Sequence, residues 1–104
     1  MKKILLCCNA GMSTSMVVKK MQQAAKERGI DAEITAVSAE QFNATLPDYD
    51  CCLLGPQIKY KLAEFKKRGD ELGKPVDVIN PMDYGMMKGD KILDHALTLI
   101  AAQK

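Results

Sequence analysis

Two short runs, Ile4-Leu5-Leu6-Cys7 and Cys51-Cys52-Leu53-Leu54, constrain this chain more than any other feature of it. Each is too short for a substantial helix and has no polar face, so each reads as a strand buried on both sides. Such strands occur where helices cover both faces of a parallel sheet. Two other runs, Glu33-Ile34-Thr35-Ala36-Val37 and Val76-Asp77-Val78-Ile79, interleave polar residues and suit the sheet's edges. With right-handed crossovers the expected order is 2-1-3-4. The fold class is therefore α/β: a four-stranded parallel open sheet with helices on both faces, formed by residues 1–104 as a single domain.

The stretches between the strands carry helical signals. A first helix is expected from about Ser13, as N-cap, to Arg28, with Val17, Met21, Ala24 and Ala25 on one face and Gly29 as its stop. A short helix is expected over 39–43, ending before Pro47. Pro56 suits the first position of a helix that turns Ile58, Leu62 and Phe65 inward, frays at Gly69 and ends by Gly73-Lys74-Pro75. Asn80-Pro81-Met82-Asp83 reads as a cap and first turn. A last helix from near Asp90 presents Leu93, Ala96, Leu97 and Ile100.

Bulk properties exclude several classes of function. A net charge of +2, spread along the chain with few aromatics, gives no footprint for nucleic acid. Lys2-Lys3 followed by Ile4 to Cys8 superficially resembles a signal peptide. Its apolar stretch ends at Asn9, short of the roughly 7–15 residues of a signal core. No run approaches the roughly 20 apolar residues of a membrane span, so a soluble, cytoplasmic protein is expected, with any membrane role reached through a partner. The cysteines form adjacent pairs, Cys7-Cys8 and Cys51-Cys52, which lack the spacing of a metal half-site. No metal and no cofactor are expected. Cys7, Cys51 and Cys52 fit core positions.

Cys8 differs, because it leaves the first strand for a loop. Winding reverses after that strand, so the crevice at its carboxyl end is the topological switch point where ligands bind in such sheets. The stretch Cys8-Asn9-Ala10-Gly11-Met12-Ser13-Thr14-Ser15 reads as strand end, tight loop of small residues and helix N-terminus. Inward amides and the helix dipole make such a turn an anion site, and the same field favours thiolate over thiol. Cys8 is thus expected to be a nucleophile that accepts a phosphoryl group, cradled by Asn9, Ala10, Gly11, Met12, Ser13, Thr14 and Ser15. The loop lacks Gly-Lys-Ser/Thr and is no nucleotide-binding loop. It also lacks any arginine or lysine between Cys8 and Met16, and Thr14 stands where a cysteine phosphatase would place its arginine. Hydrolysis of a phosphocysteine should then be slow beside handover to another acceptor.

The loop after an apolar strand, together with Leu53-Leu54-Gly55-Pro56-Gln57-Ile58, Pro75-Val76-Asp77-Val78-Ile79 and the Tyr84-Gly85 turn, resembles the IIB component of the sugar phosphotransferase system (PTS), lactose/cellobiose/chitobiose family. The resemblance covers essentially the whole chain, and its fold resembles that of low-molecular-weight tyrosine phosphatases. It implies that Cys8 takes a phosphoryl group from a phosphohistidine of the IIA protein. Cys8 would then pass it to a sugar, a β-linked disaccharide such as cellobiose, chitobiose or lactose, bound by the membrane protein IIC. Asn9 departs from relatives that carry serine or alanine there. Between these transient complexes the protein is expected to be a monomer.

Other residues divide between site and scaffold. Met12 at the loop tip suits docking as well as core. Gln57 and Tyr60 open the third long helix and either border the loop or cap and pack. Tyr84 either reaches the crevice or supports its own turn. His95 lies mid-helix, away from the crevice, and Met86 and Met87 read as core or surface filler. Two rivals stand beside the carrier: a low-molecular-weight phosphatase or arsenate reductase, and a regulatory protein whose phosphorylation reports sugar status.

Overall fold

The computed structural model describes residues 2–8 and 11–102, and for residues 8 and 11–14 the backbone alone. Four strands, β1 (Lys2–Cys8), β2 (Ala32–Ser38), β3 (Cys51–Leu54) and β4 (Val76–Val78), form one parallel sheet in the order β2-β1-β3-β4. That is the expected order, and the wholly apolar strands are the inner ones. Every residue of β3 is fully buried, as are Ile4, Leu5, Leu6 and Cys7 of β1. The helices are α1 (Gly11–Glu27), α2 (Phe42–Thr45), α3 (Leu62–Leu72), α4 (Pro81–Gly85) and α5 (Gly89–Ala102).

The pleat divides the core in two. On one face Ile4, Leu6, Cys51 and Leu53 pack in a cluster with Val17 and Met21 of α1, Tyr84 of α4, and Ile92, Leu93 and Ala96 of α5. On the other, Leu5, Cys7, Cys52 and Leu54 join Phe42, Leu46, Ile58 and Phe65. The rings of Phe42 and Phe65 stack 4.0 Å apart and lock α2 to α3. Arg28, just past the end of α1 and bonded through both terminal guanidinium nitrogens to Asp94 of α5, joins the two helices at the surface, and that carboxylate holds its pKa up.

Local chemistry sets the boundaries. Gly29, at φ 67°, ends α1 with Ile30 N–H on Ala25 O at 2.8 Å and Gly29 N–H on Lys26 O at 3.2 Å, a Schellman closure. Gly73, at φ 69°, ends α3 in the same way, with Lys74 N–H on Gly69 O at 2.7 Å. Asn80 caps α4 as its sequence suggests, accepting from Met82 N–H at 2.8 Å.

Four expectations need correction. α1 begins at Gly11, so Ser13 lies inside the helix and is not its N-cap. The short helix expected over 39–43 opens as a 3-10 turn (Ala39–Gln41) and becomes α2 only at Phe42; α2 ends at Thr45, before Pro47 as expected, and Pro47 sits in the 3-10 turn (Leu46–Asp48) that follows, whose second position needs no N–H from proline. The segment opened by Pro56 is first a 3-10 turn (Pro56–Lys61), with Ile58 off helical geometry, and becomes α3 only at Leu62. Gly69 does not fray. A Cβ there would stand 2.5 Å from Lys74 O and 2.6 Å from Val76 Cγ2, so the missing side chain lets α3 lie against β4.

Gly69→Ala should therefore destabilise the protein by about 1–3 kcal/mol in urea denaturation, the usual range for overpacking. Gly85→Ala should be near neutral, since a Cβ there meets nothing within 4 Å. Equal effects at the two positions would contradict the close-packing account of Gly69.

Candidate functional site

The carboxyl ends of all four strands are brought level by strand register and main-chain hydrogen bonds. β1 runs to Cys8, which pairs in register with Ser38 of β2. On its other side Gly55 N–H donates to Cys7 O at 2.8 Å, so the chain leaving β3 passes directly beside the end of β1. Ile79 N–H donates to Leu54 O at 2.8 Å and sets the end of β4 beside that of β3. From β1 the chain runs to one side and from β3 to the other, which makes the end of β1 the switch point of the sheet.

Cys8 thus ends a buried central strand three residues before a helix of 17 residues opens at Gly11. A helix of that length directs unpaired amides and positive potential out of its first turn. Asn9 and Ala10 lie outside the described residues, as do the side chains of Cys8, Met12, Ser13 and Thr14. The backbone from Gly11 through Ser15 belongs to α1. Ser15 is exposed on that helix beside a groove, about 330 Å³ in volume, lined by Val18, Lys19, Gln22, Ile34 and Ala36.

The other three cysteines are core residues, as their runs suggest. Cys7, Cys51 and Cys52 are fully buried. Burial in apolar surroundings pushes the Cys51 thiol up to about 12, helped by the nearby charge of Asp50. It pushes Cys52 well above its ordinary value too, with Cys7 and Cys51 adding to the effect. Thiols held protonated in this way are poor nucleophiles at neutral pH. Cys8 is the remaining cysteine.

Gln57 and Tyr84, 27 residues apart, meet. Gln57 Nε2 donates to the Tyr84 hydroxyl at 3.3 Å, linking the turn after β3 to α4 after β4. Tyr84 is buried in the core, whereas Gln57 is exposed. Tyr60 stands 71% exposed. His95 instead meets Asp77 of β4, whose Oδ2 lies 2.9 Å from its Nε2; the two are 18 positions apart, and nothing in the sequence marks that pair. Met87 is half-buried at φ 53°, and Met86 is exposed. Four large apolar side chains are exposed among the described residues: Met16, Tyr60, Met82 and Met86. All four belong to segments that leave the carboxyl ends of β1, β3 and β4, a shared origin hidden in a sequence where they are scattered over 71 positions. Among the described residues no group of His, Cys, Asp and Glu is arranged to hold a metal ion, and no helix is long and apolar enough to cross a membrane.

Residues 3–95 match the family model for the PTS lactose/cellobiose-specific IIB subunit. The chain belongs to that family. Family members are PTS phosphotransferases that work with IIA and IIC partners. The chain is 47% identical over 104 residues to the galactose-specific EIIB component of Lactococcus lactis subsp. cremoris, with 95% of this chain and 96% of that one covered. It is 42% identical over 103 residues to the oligo-beta-mannoside-specific EIIB component of Bacillus subtilis, covering 99% and 100%. Among solved structures, the cellobiose-specific IIB component of Borrelia burgdorferi superposes with a TM-score of 0.83 at 34% identity, covering 99% of this chain and 94% of that one. A PTS IIB protein of this family can thus be similar over its whole length to relatives named for different sugars.

Two outcomes follow from the buried thiols. Alkylation of the folded protein at pH 8 should leave Cys7, Cys51 and Cys52 unmodified, and unfolding should expose all three; labelling of any of them in the native state would contradict their burial. Stability should not depend on Cys51 ionisation below its ordinary pKa of 9.0, and should fall as pH rises toward about 12. Over that window the unfolded thiol releases a proton that the folded one keeps, a slope of roughly 1.4 kcal/mol per pH unit for one such group.

Proposed function

We propose that this PTS IIB protein carries the phosphoryl group on Cys8. The observation that carries the reading is the position of Cys8, at the carboxyl end of central strand β1 and three residues before the opening of α1. Cys8 Sγ attacks the phosphorus of a phosphohistidine on a IIA protein, in line with the leaving imidazole nitrogen. The S–P bond forms as the N–P bond breaks, and the histidine keeps the electron pair of that bond. In the second half-reaction a sugar hydroxyl held by IIC attacks the same phosphorus and Cys8 leaves as thiolate. Amides of residues 9–15 take up the charge of the transferring group, so phosphate is held by neutral donors in a loop without arginine or lysine. The sugar belongs to the β-linked disaccharide class.

Residues 1–104 act as one IIB domain in the cytoplasm, meeting IIA and IIC in turn. Supporting this, Tyr60, Met82 and Met86 offer exposed apolar surface on the segments that leave the carboxyl ends of β3 and β4. A surface of a few such residues suits partners that must leave quickly.

Incubation with phosphoenolpyruvate, the general PTS proteins and a cognate IIA should add one phosphoryl group by intact mass, absent from Cys8→Ser. Aryl phosphate should be turned over far more slowly than by a cysteine phosphatase. An adduct retained in Cys8→Ser, or rapid phosphatase turnover that Cys8→Ser abolishes, would contradict the carrier.

A further inference from the structure

Where this chain leaves large aliphatic side chains in water, it uses thioethers. Among the described residues no leucine, isoleucine, valine or phenylalanine is exposed, whereas Met16, Met82 and Met86 are. Met21, on the inner face of α1, is fully buried, so the core also takes methionine. The pair on α4 is the most open of the described methionines, Met82 at 73% and Met86 at 63%.

α4 presents that pair from a fixed turn. The Asn80 side chain accepts from Met82 N–H at 2.8 Å, Pro81 sets the first position, and Met86 N–H returns to Met82 O at 3.0 Å. Tyr84, between the two methionines, is buried in the core cluster and anchors the turn from within. Met82 and Met86 stand four residues apart and so share the outer face. Gly85 keeps that face open, since a Cβ there would meet nothing within 4 Å. The outer face of α4 therefore carries two thioethers and a glycine.

A thioether differs from a leucine in two ways. It is flexible and polarizable, so it adapts to differently shaped surfaces, which suits a carrier that meets IIA and IIC in turn. Peroxide also turns it polar. A sulfur lone pair attacks one peroxide oxygen, the S–O bond forms as the O–O bond breaks, and the other oxygen leaves as water. Sulfur is oxidised and the peroxide reduced.

We propose that Met82 and Met86 form an oxidation-sensitive contact for IIA. Hydrogen peroxide converts both to sulfoxides, the outer face of α4 becomes polar, and the carrier loses affinity for its donor until methionine sulfoxide reductases restore the thioethers. This rests on the carrier reading above and adds regulation to it.

The test uses the full chain carrying Cys8→Ser, which takes the proposed nucleophile away from the oxidant, with affinity for IIA titrated before and after hydrogen peroxide. Peptide masses should show sulfoxide at Met82 and Met86 and none at Met21, with the unfolding midpoint unchanged. Affinity for IIA should fall about tenfold, as expected when apolar contact worth one buried methionine is lost, and should recover after the reductases. Met82→Leu/Met86→Leu, whatever its own starting affinity, should hold that affinity through the same treatment. Thioethers left unoxidised, sulfoxides with undiminished affinity, a lowered unfolding midpoint, or an equal loss in the double variant would each overturn the proposal. Failure of the untreated wild type to take a phosphoryl group from IIA would instead remove the carrier reading, and this inference with it.

Discussion

Burial of β1 and β3 on both faces is the constraint on which the rest depends. Strands with no polar side need helices above and below, and parallel connections supply them. That requirement places α1, α4 and α5 on one face and α2 and α3 on the other. It also makes β1 and β3 neighbours with their carboxyl ends level, so the first chain reversal falls beside the end of β1. The position proposed for the phosphoryl group is a consequence of how the hydrophobic sequence is distributed. It needed no separate device.

The same distribution separates one cysteine from three. Cys7 and Cys8 are adjacent in sequence, yet Cys7 faces the sealed core with Cys52 and Leu54, while Cys8 ends the strand. Burial keeps the Cys51 and Cys52 thiols protonated. A chain with four cysteines therefore presents one candidate nucleophile.

Strand polarity was enough to read the sheet order, because Glu33, Thr35 and Asp77 betray the edges and the apolar runs betray the centre. Helix faces were legible from spacing, and Gly29, Gly73 and Asn80 announced their caps. What the sequence concealed depends on contacts between distant segments. Gly69 looks like a helix breaker until Val76 is seen against it. Gln57 and Tyr84 each left crevice and scaffold open as alternatives, no spacing rule links residues 27 apart, and only the level strand ends bring them together. The exposed Met82 and Met86 resemble core methionines until the fold shows which face they are on.

The central claim is that the amides opening α1 hold a phosphoryl group on Cys8. Comparison of 1H–15N spectra before and after phosphorylation by IIA tests it most directly. The account predicts that the largest downfield amide shifts fall within residues 9–15, with the segments around Cys51 and His95 nearly still. Largest shifts elsewhere, with residues 9–15 unmoved, would contradict it.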